Sequence, residues 1–319
     1  MARAVRPRKG EKLLRPVRPN AGLEAIYRQR LYAIVEDMAA SVERWILAAY
    51  RKAKPALARD AEPPGIAAIN VGGERPWLAT VDGEPVRTSK GAAIRFATEA
   101  NALRAARIAI GALLPADEMQ AAMAELGDYW LDQFDVASSR LASFFSKSAA
   151  RRTDDQLRSI LREGGMSVRF NPTPAQLDVL RASVHENVAL IKSIPQQYLK
   201  NVEGIVMRSV QRGRDLSTLS RQIQAQYGVT KRRAALIARD QNNKATSAFQ
   251  EARRKEIGIK EAVWIHSGGG KHPRPKHVAA DGQRYDVARG LPIGDKGQYV
   301  FPGEEINCRC VSRSVLPGL

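Results

Sequence analysis

The run WIHSGGGKHPRPKH occupies residues 264–277 of this sequence, and the run PGEEINCRC occupies residues 302–310. Three of the four histidines and both cysteines of the chain fall between residues 264 and 311. The segment is rich in glycine and proline and has no apolar repeat at helical spacing, so we predict loops and short strands. A long irregular segment in a compact domain is usually functional. Side chains that can bind metals are therefore concentrated in one irregular module.

The chain before this module is predicted to be mostly helical. Apolar residues recur at steps of three and four through residues 21–54 and again through residues 117–148, where the aromatic stripe predicts a packed helix face. A capping box at residues 153–156 predicts the start of another helix. Further helices are predicted from residue 173, from Pro195, from Asp215 to Gly228 and over residues 231–257. The predicted fold class is mainly α, with a helical N-terminal and central part and a C-terminal α+β module rich in loops and short strands.

Three regions are predicted along the chain. Residues 1–20 form a basic tail, which should be disordered unless a partner holds it, because it has little apolar surface to bury. Residues 21–170 form a helical region with a Pro/Gly-rich insertion near residues 55–90, where Asp82-Gly83 predicts a hairpin turn. Residues 171–319 form the C-terminal domain.

The charge of the chain is its strongest global property. With 51 Lys and Arg against 33 Asp and Glu, the formal net charge is +18. Such a charge favours polyanions, either nucleic acid or an acidic membrane surface, although a basic surface without such a partner is the alternative.

No stretch approaches the ~18 apolar residues of a spanning helix, and the basic N-terminal segment lacks the apolar core of a signal peptide, so we expect neither membrane insertion nor secretion. Two cysteines one residue apart fit a reducing cytoplasm.

Clusters of basic residues are the candidate DNA contacts. They would bind phosphates through charge, without sequence preference and with strong salt dependence. For the clusters at residues 231–233 and 253–255 a solvated helix face is the alternative, and the helix dipole alone accounts for the second of these clusters, at a helix C-terminus. The predicted contacts are Arg3, Arg6, Arg8, Lys9, Arg15, Arg18, Lys231, Arg232, Arg233, Arg253, Arg254, Lys271, Arg274 and Lys276.

The cysteine pair is the candidate metal site. A disulfide across a single intervening residue is strained, whereas two thiolates with nearby imidazoles suit tetrahedral zinc. The predicted ligands are His277, Cys308 and Cys310, with His266 as a weaker fourth, and Asp281 is expected to help hold the site. The alternative is that the thiols are small buried residues and the histidines are loop donors. A zinc ion here would be structural, stapling a segment that has too little apolar surface to fold alone.

A catalytic interpretation has less support. His277, Asp281 and Asp286 could supply a base and acceptors, but their spacing matches no nuclease pattern. The run from Gly268 to Lys271 is not a phosphate-binding loop, because His272 stands where Ser or Thr must bind magnesium. We therefore expect no enzymatic activity, with a metal-dependent nuclease or toxin as the alternative.

The motif residues together resemble the phage Mu protein F-like family of phage head-morphogenesis, or minor head, proteins. The resemblance covers roughly residues 195–313. Two departures are visible: members often have Arg-Thr-Glu where this chain has Arg239-Asp240-Gln241, and a Thr and an Asp follow the tryptophan where this chain has His266 and a glycine run. The resemblance is carried in order by Ala235-Leu236-Ile237-Ala238-Arg239-Asp240, Trp264, Arg274, His277, Asp281-Gly282, Pro302-Gly303-Glu304 and Asn307-Cys308-Arg309-Cys310.

This resemblance implies a structural protein of the virion, at the head interior or portal vertex of a tailed double-stranded DNA phage. Such a protein would be assembled in the host cytoplasm and would act in head assembly and in DNA packaging or ejection. The implied partners are the portal protein, the major capsid protein or both, together with double-stranded DNA bound non-specifically. An assembly adaptor that meets an acidic portal surface, independently of DNA, is a further alternative.

Overall fold

The structure of the chain is a computed structural model that describes residues 6–52, 65–73, 76–81, 83–87, 92–109, 115–211, 216–269 and 272–317. Over these residues the chain forms six helices and eight strands. Long helices precede a small C-terminal sheet, which confirms the predicted mainly α class with a C-terminal α+β module. No helix in these ranges is long and apolar enough to cross a membrane.

The helices begin and end at recognisable signals. The first begins where the Asn20 side-chain oxygen accepts a hydrogen bond from the backbone N–H of Leu23 at 2.8 Å, as an N-cap does. The third ends at Glu163 and is followed by Gly165, which has φ +94°, and the N–H of Met166 donates back to the carbonyl of Leu161. The helices are α1 (Ala21–Lys52), α2 (Glu99–Ala109), α3 (Pro115–Glu163), α4 (Pro174–Gln211), α5 (Leu216–Glu256) and α6 (Pro275–Ala279).

Three predicted helix boundaries are absent, because α3, α4 and α5 are each continuous where two helices were predicted. The predicted capping residue Thr153 is buried inside α3, and the Ala-Ala-Arg-Arg run before it favours helix. Pro195 lies within α4, between the fully buried side chains of Ile194 and Tyr198. Gly228 lies within α5 at an ordinary negative φ. Burial of the flanking apolar residues outweighs the local cost, about 1 kcal/mol for glycine and about 3 kcal/mol for proline.

The C-terminal sheet is antiparallel and has the strand order β1-β8-β6-β7. Strand β6 pairs with β7 and β8, aligning Val263 with Arg284 and Ile265 with Val311. The pairing of β1 with β8 aligns Leu13 with Val315. The strands are β1 (Glu11–Leu13), β6 (Glu261–Ile265), β7 (Arg284–Asp286) and β8 (Val311–Pro317).

A second small sheet follows α1 along the chain. It has the order β2-β3-β4, and β5 also pairs with β3. Val81 pairs with Glu84 across the predicted hairpin turn, and Gly83 has φ +82°, whereas Asp82 lies outside the described residues. The predicted hairpin is therefore present. The strands are β2 (Ile66–Asn70), β3 (Trp77–Val81), β4 (Glu84–Pro85) and β5 (Arg95–Phe96).

The described residues divide into two compact units. The first comprises the described parts of Met1–Glu36, Leu131–Gln196 and Gly228–Leu319, and the second those of Asp37–Trp130 and Gln197–Tyr227. In the first unit a buried apolar cluster joins the C-terminal sheet to the end of α3. In the second unit a smaller cluster contains buried alanines of β3 and α2. That the C-terminal domain begins at residue 171 stays a prediction.

The described part of the basic tail, residues 6–20, is ordered by the chain itself. Strand β1 pairs with β8, and Leu14 and Val17 are buried in the core of the first unit. Arg313 donates to the carbonyl of Leu14 at 2.8 Å. The expectation that this segment needs a partner to become ordered is therefore wrong for residues 11–20. Its apolar residues are few, but they fill positions in the core.

Candidate metal centre

His277, Cys308 and Cys310 are buried side by side in the first unit. The Nδ1 atom of His277 lies 3.4 Å from Sγ of Cys308 and 3.8 Å from Sγ of Cys310. All three potential ligand atoms lie within 4.8 Å of one another. The structure thus brings together three of the four predicted metal ligands.

Two different segments supply these three side chains. His277 lies on α6, a single-turn helix that begins at a proline, whereas Cys308 and Cys310 lie just before β8. The His277 and Trp264 rings make a T-shaped contact at a centroid distance of 5.2 Å, and the Trp264 side chain, on β6, is fully buried. The segment was predicted to contain only loops and strands, so α6 is an addition to that prediction.

Helix α5 fixes the loop that carries the cysteines. Asn307 accepts hydrogen bonds from Nε and Nη2 of Arg239 through its side-chain oxygen, and its backbone N–H donates to the Asp240 carboxylate. Asn243 donates to the carbonyl of Cys308 at 2.7 Å. The Arg-Asp pair and the Asn-Cys pair of the sequence motif are therefore in direct contact.

Glu305 completes the surroundings of His277. Its carboxylate lies 2.8 Å from Nε2 of His277 and 3.4 Å from Nε of Arg274. The Glu305 carboxylate is therefore within hydrogen-bond distance of Nε2, while Nδ1 on the other side of the ring faces the two sulfurs. No role was predicted for Glu305; the signal available was a carboxylate within the PGEEINCRC run, three residues before Cys308.

The two sulfurs differ in acidity. A hydrogen bond from the Cys310 thiol lowers the pKa of Cys308 to about 5, and the backbone N–H groups of Cys310 and Gly303 lower it further against the opposing effect of burial. The same bond, together with burial, raises the pKa of Cys310.

His266 and Asp281 lie beside this cluster rather than in it. The backbone N–H of His266 donates to the Asp281 carboxylate at 2.9 Å, and its ring Nδ1 accepts from the N–H of Gly268 at 3.2 Å. The His266 side chain lines a cavity of about 220 Å³ that is also bordered by His272, Arg309 and the three clustered ligands. His266 as a fourth ligand therefore stays a prediction.

Burial contradicts the predicted DNA contacts of Arg253 and Arg254. Arg253 is 4% exposed and pairs with Asp154 and Glu256 at 2.7 Å. Arg254 is 0% exposed and pairs with Glu251 at 2.6 Å. Both guanidinium groups are occupied inside the protein, so they hold α5 in place instead of facing a polyanion.

The other predicted cations fall into two groups, apart from Arg3 and Lys271, which lie outside the described residues. Three are partly buried and have polar or aromatic contacts: Lys231 over the Tyr32 ring, Arg233 with Ser193, and Arg274 with Ile306 and Glu305. The other seven are exposed, and two of these have polar contacts. Arg15 pairs with Glu163, and Lys276 donates to the carbonyl of Gly294. The exposed group is Arg6, Arg8, Lys9, Arg15, Arg18, Arg232 and Lys276.

A basic groove lies on the α5 surface of the first unit. Its cavity of about 550 Å³ is lined by Lys231, Arg232, Arg239 and Tyr32, with no carboxylate among the lining residues. The sequence analysis did not include Arg239 or Arg309 among the candidate phosphate contacts. Arg239 lines this groove. Arg309 is exposed and lines the cavity next to Cys308 and Cys310. These two arginines lie in the family-like motif itself.

Comparison with known proteins places the site within a matched region. Residues 200–313 match the family model described as Phage Mu protein F like protein. This confirms the resemblance identified from the motif residues. The chain is also 33% identical over 187 residues to an uncharacterized protein of Haemophilus influenzae, covering 58% of this chain and 40% of that protein. No solved structure matches the chain.

Proposed function

We propose that this chain is a minor head protein of a tailed double-stranded DNA phage, located at the capsid interior or the portal vertex. The observation that carries the proposal is the match of residues 200–313 to the Phage Mu protein F like model. The geometry supports it, because the motif residues of α5 and of the cysteine loop contact one another through side chains. Within the matched region, α5 and the cysteine loop are therefore joined by direct hydrogen bonds between motif residues.

The proposed partners are the portal protein or the major capsid protein, together with double-stranded DNA. Support for DNA contact comes from the net charge of +18 and from exposed cations on residues 6–18. The groove lined by Lys231, Arg232 and Arg239 adds a cationic concavity. Contacts of this kind neutralise phosphates without reading bases.

We propose a structural and not a catalytic role for the cysteine cluster. His277, Cys308 and Cys310 are each 5% exposed or less, and Glu305 is engaged with His277 and Arg274. A hydrolytic centre needs access for a large nucleic-acid substrate and a free base. Purified protein incubated with plasmid and divalent metal should leave the DNA intact. Cleavage that His277→Ala abolishes would favour the alternative of a metal-dependent nuclease or toxin.

The assembly role can be tested genetically. In a phage whose copy of this gene carries an early stop codon, we expect the yield of infectious particles to fall. Electron microscopy should show aberrant or unfilled heads, and the full chain supplied in trans should restore normal ones. Normal yields of filled, infectious heads without the protein would contradict the proposal.

A further inference from the structure

We propose that His277, Cys308 and Cys310 bind one zinc ion through the imidazole Nδ1 and two thiolates, with the fourth coordination position facing the adjacent cavity. This site goes beyond the proposed head function and does not depend on it. All three ligands come from residues that the structure places together, although they lie up to 33 residues apart in sequence.

The distances fit a tetrahedral zinc site. Zn–S bonds of ~2.3 Å and Zn–N bonds of ~2.0–2.1 Å at tetrahedral angles place a nitrogen and a sulfur about 3.6 Å apart. The observed separations from Nδ1 of His277 are 3.4 Å to Cys308 and 3.8 Å to Cys310. An ion can therefore be bound with shifts of a few tenths of an ångström.

The surroundings of His277 match those of a metal-bound histidine. Histidines that bind metals commonly donate their second ring N–H to a carboxylate, which fixes the tautomer and the orientation of the ring. Glu305 occupies this position at 2.8 Å from Nε2, and Arg274 holds Glu305 from the other side. Trp264 packs against the ring and limits its rotation. The lone pair of Nδ1 is thereby aimed at the sulfurs.

The surroundings of the sulfurs favour thiolates. Backbone N–H groups of Gly303 and Cys310 point at Cys308, and the N–H of Ser267 points at Cys310. These donors stabilise negative charge on sulfur, which is the form that binds zinc. Both cysteines would bind zinc as thiolates, so metal binding would release thiol protons to solvent.

The cavity provides the remaining position. Its volume of about 220 Å³ is large enough for water, and the imidazoles of His266 and His272 border it. Zinc at this point would tie α6 to the loop that precedes β8. These two segments have little regular backbone pairing of their own, so a metal staple would stabilise the module.

Zinc stoichiometry of the full chain is the primary test. The protein, expressed with zinc and passed through a desalting column, should contain one zinc per chain by native mass spectrometry and elemental analysis. Cys308→Ser and Cys310→Ser should each lose the metal, whereas His185→Gln, at an exposed histidine of α4, should retain it. Wild-type protein that folds without zinc, and that neither binds added zinc nor loses thermal stability with a chelator, would overturn the proposal.

A pair of neighbouring carboxylates provides the matched control for the role of Glu305. Glu305→Gln should weaken zinc binding about 10–100-fold in competition with a chromogenic chelator. Glu304→Gln should leave it unchanged, because the Glu304 carboxylate accepts from the backbone of Phe301 and not from His277. Equal affinities in the two variants would count against the proposed orientation of His277.

Cobalt substitution gives a test that does not depend on the folding of any variant. Wild-type protein loaded with Co²⁺ should show thiolate-to-cobalt charge-transfer absorption and the intense visible bands of tetrahedral coordination. The absence of both features in a folded, cobalt-containing protein would overturn the assignment of the two cysteines.

Discussion

Asn307 has φ 58°, and its side-chain oxygen accepts hydrogen bonds from Nε and Nη2 of Arg239 at 3.1 and 2.9 Å. It is the single non-glycine residue with positive φ among the described residues. An asparagine tolerates this conformation better than most side chains. The cysteine loop is therefore held to α5 by a residue that combines an unusual backbone conformation with a side-chain contact.

Asn307→Ala should destabilise the protein by about 1–2 kcal/mol, because alanine tolerates positive φ less well and cannot accept from Arg239. Asn307→Gly is the matched control, since glycine keeps the backbone conformation and removes only the hydrogen bonds from Arg239. Chemical denaturation of the three proteins measures the difference. If the alanine variant were as stable as wild type, the loop conformation would not depend on this residue.

Arg254→Met should destabilise the protein by about 3–5 kcal/mol, because it leaves the buried Glu251 carboxylate without its cation. It also removes the hydrogen bonds from Arg254 to the Ser312 and Ser314 side chains of β8. Arg232→Met, at an exposed position of the same helix, should change stability by about 0.5 kcal/mol or less. Similar thermal unfolding of both variants would contradict the structural role of Arg254.

Lowering the pH should weaken the ion pair between Glu11 of β1 and Arg284 of β7. Hydrogen bonding to Arg284 lowers the pKa of the Glu11 carboxyl below its ordinary value of 4.5. A lowered folded-state pKa gives stability that is present above pH 4.5 and is lost as the pH falls through the folded-state pKa. Glu11→Gln should therefore lose less stability than wild type on acidification below pH 4.5. Parallel pH profiles for the two proteins would contradict this link.

DNA binding should depend on the basic groove and on salt. The double variant Lys231→Ala, Arg232→Ala should bind duplex DNA more weakly. The slope of log affinity against log salt concentration should become less negative by about 0.9 for each phosphate that is no longer neutralised. Arg158→Ala with Arg181→Ala removes the same charge from arginines that face Asp155 and Asp178 at 3.2 and 4.0 Å. The control pair should weaken binding much less. Equal weakening by the two pairs would mean that net charge, and not the groove, determines affinity.

Much of the helical part could be predicted from periodicity. The predicted first helix over residues 21–54 is observed as Ala21–Lys52, and Phe134 and Phe145 of the aromatic stripe are buried as predicted. Internal helix ends were less predictable, because a capping box, Pro195 and Gly228 act locally while burial of their neighbours acts through the whole fold. Residues that stop a helix in isolation are tolerated when the helix continues into a packed core.

The candidate site was predictable where it depends on residue type and sequence clustering, and not where it depends on tertiary packing. Chemical type and clustering in the sequence singled out His277, Cys308 and Cys310, which the structure brings together. Charge alone could not show that Arg253 and Arg254 are buried, because ion pairs to Asp154 and Glu251 depend on tertiary packing. The role of Glu305 likewise depends on a contact across 28 residues.

Quantitative mass spectrometry of purified phage particles tests the proposed head function most directly. The abundance of this chain is compared with that of the major capsid protein in filled particles. The proposal predicts a small and reproducible number of copies in every preparation, retained after nuclease treatment of the particle exterior. Absence of the chain from infectious particles would contradict its assignment as a minor head protein.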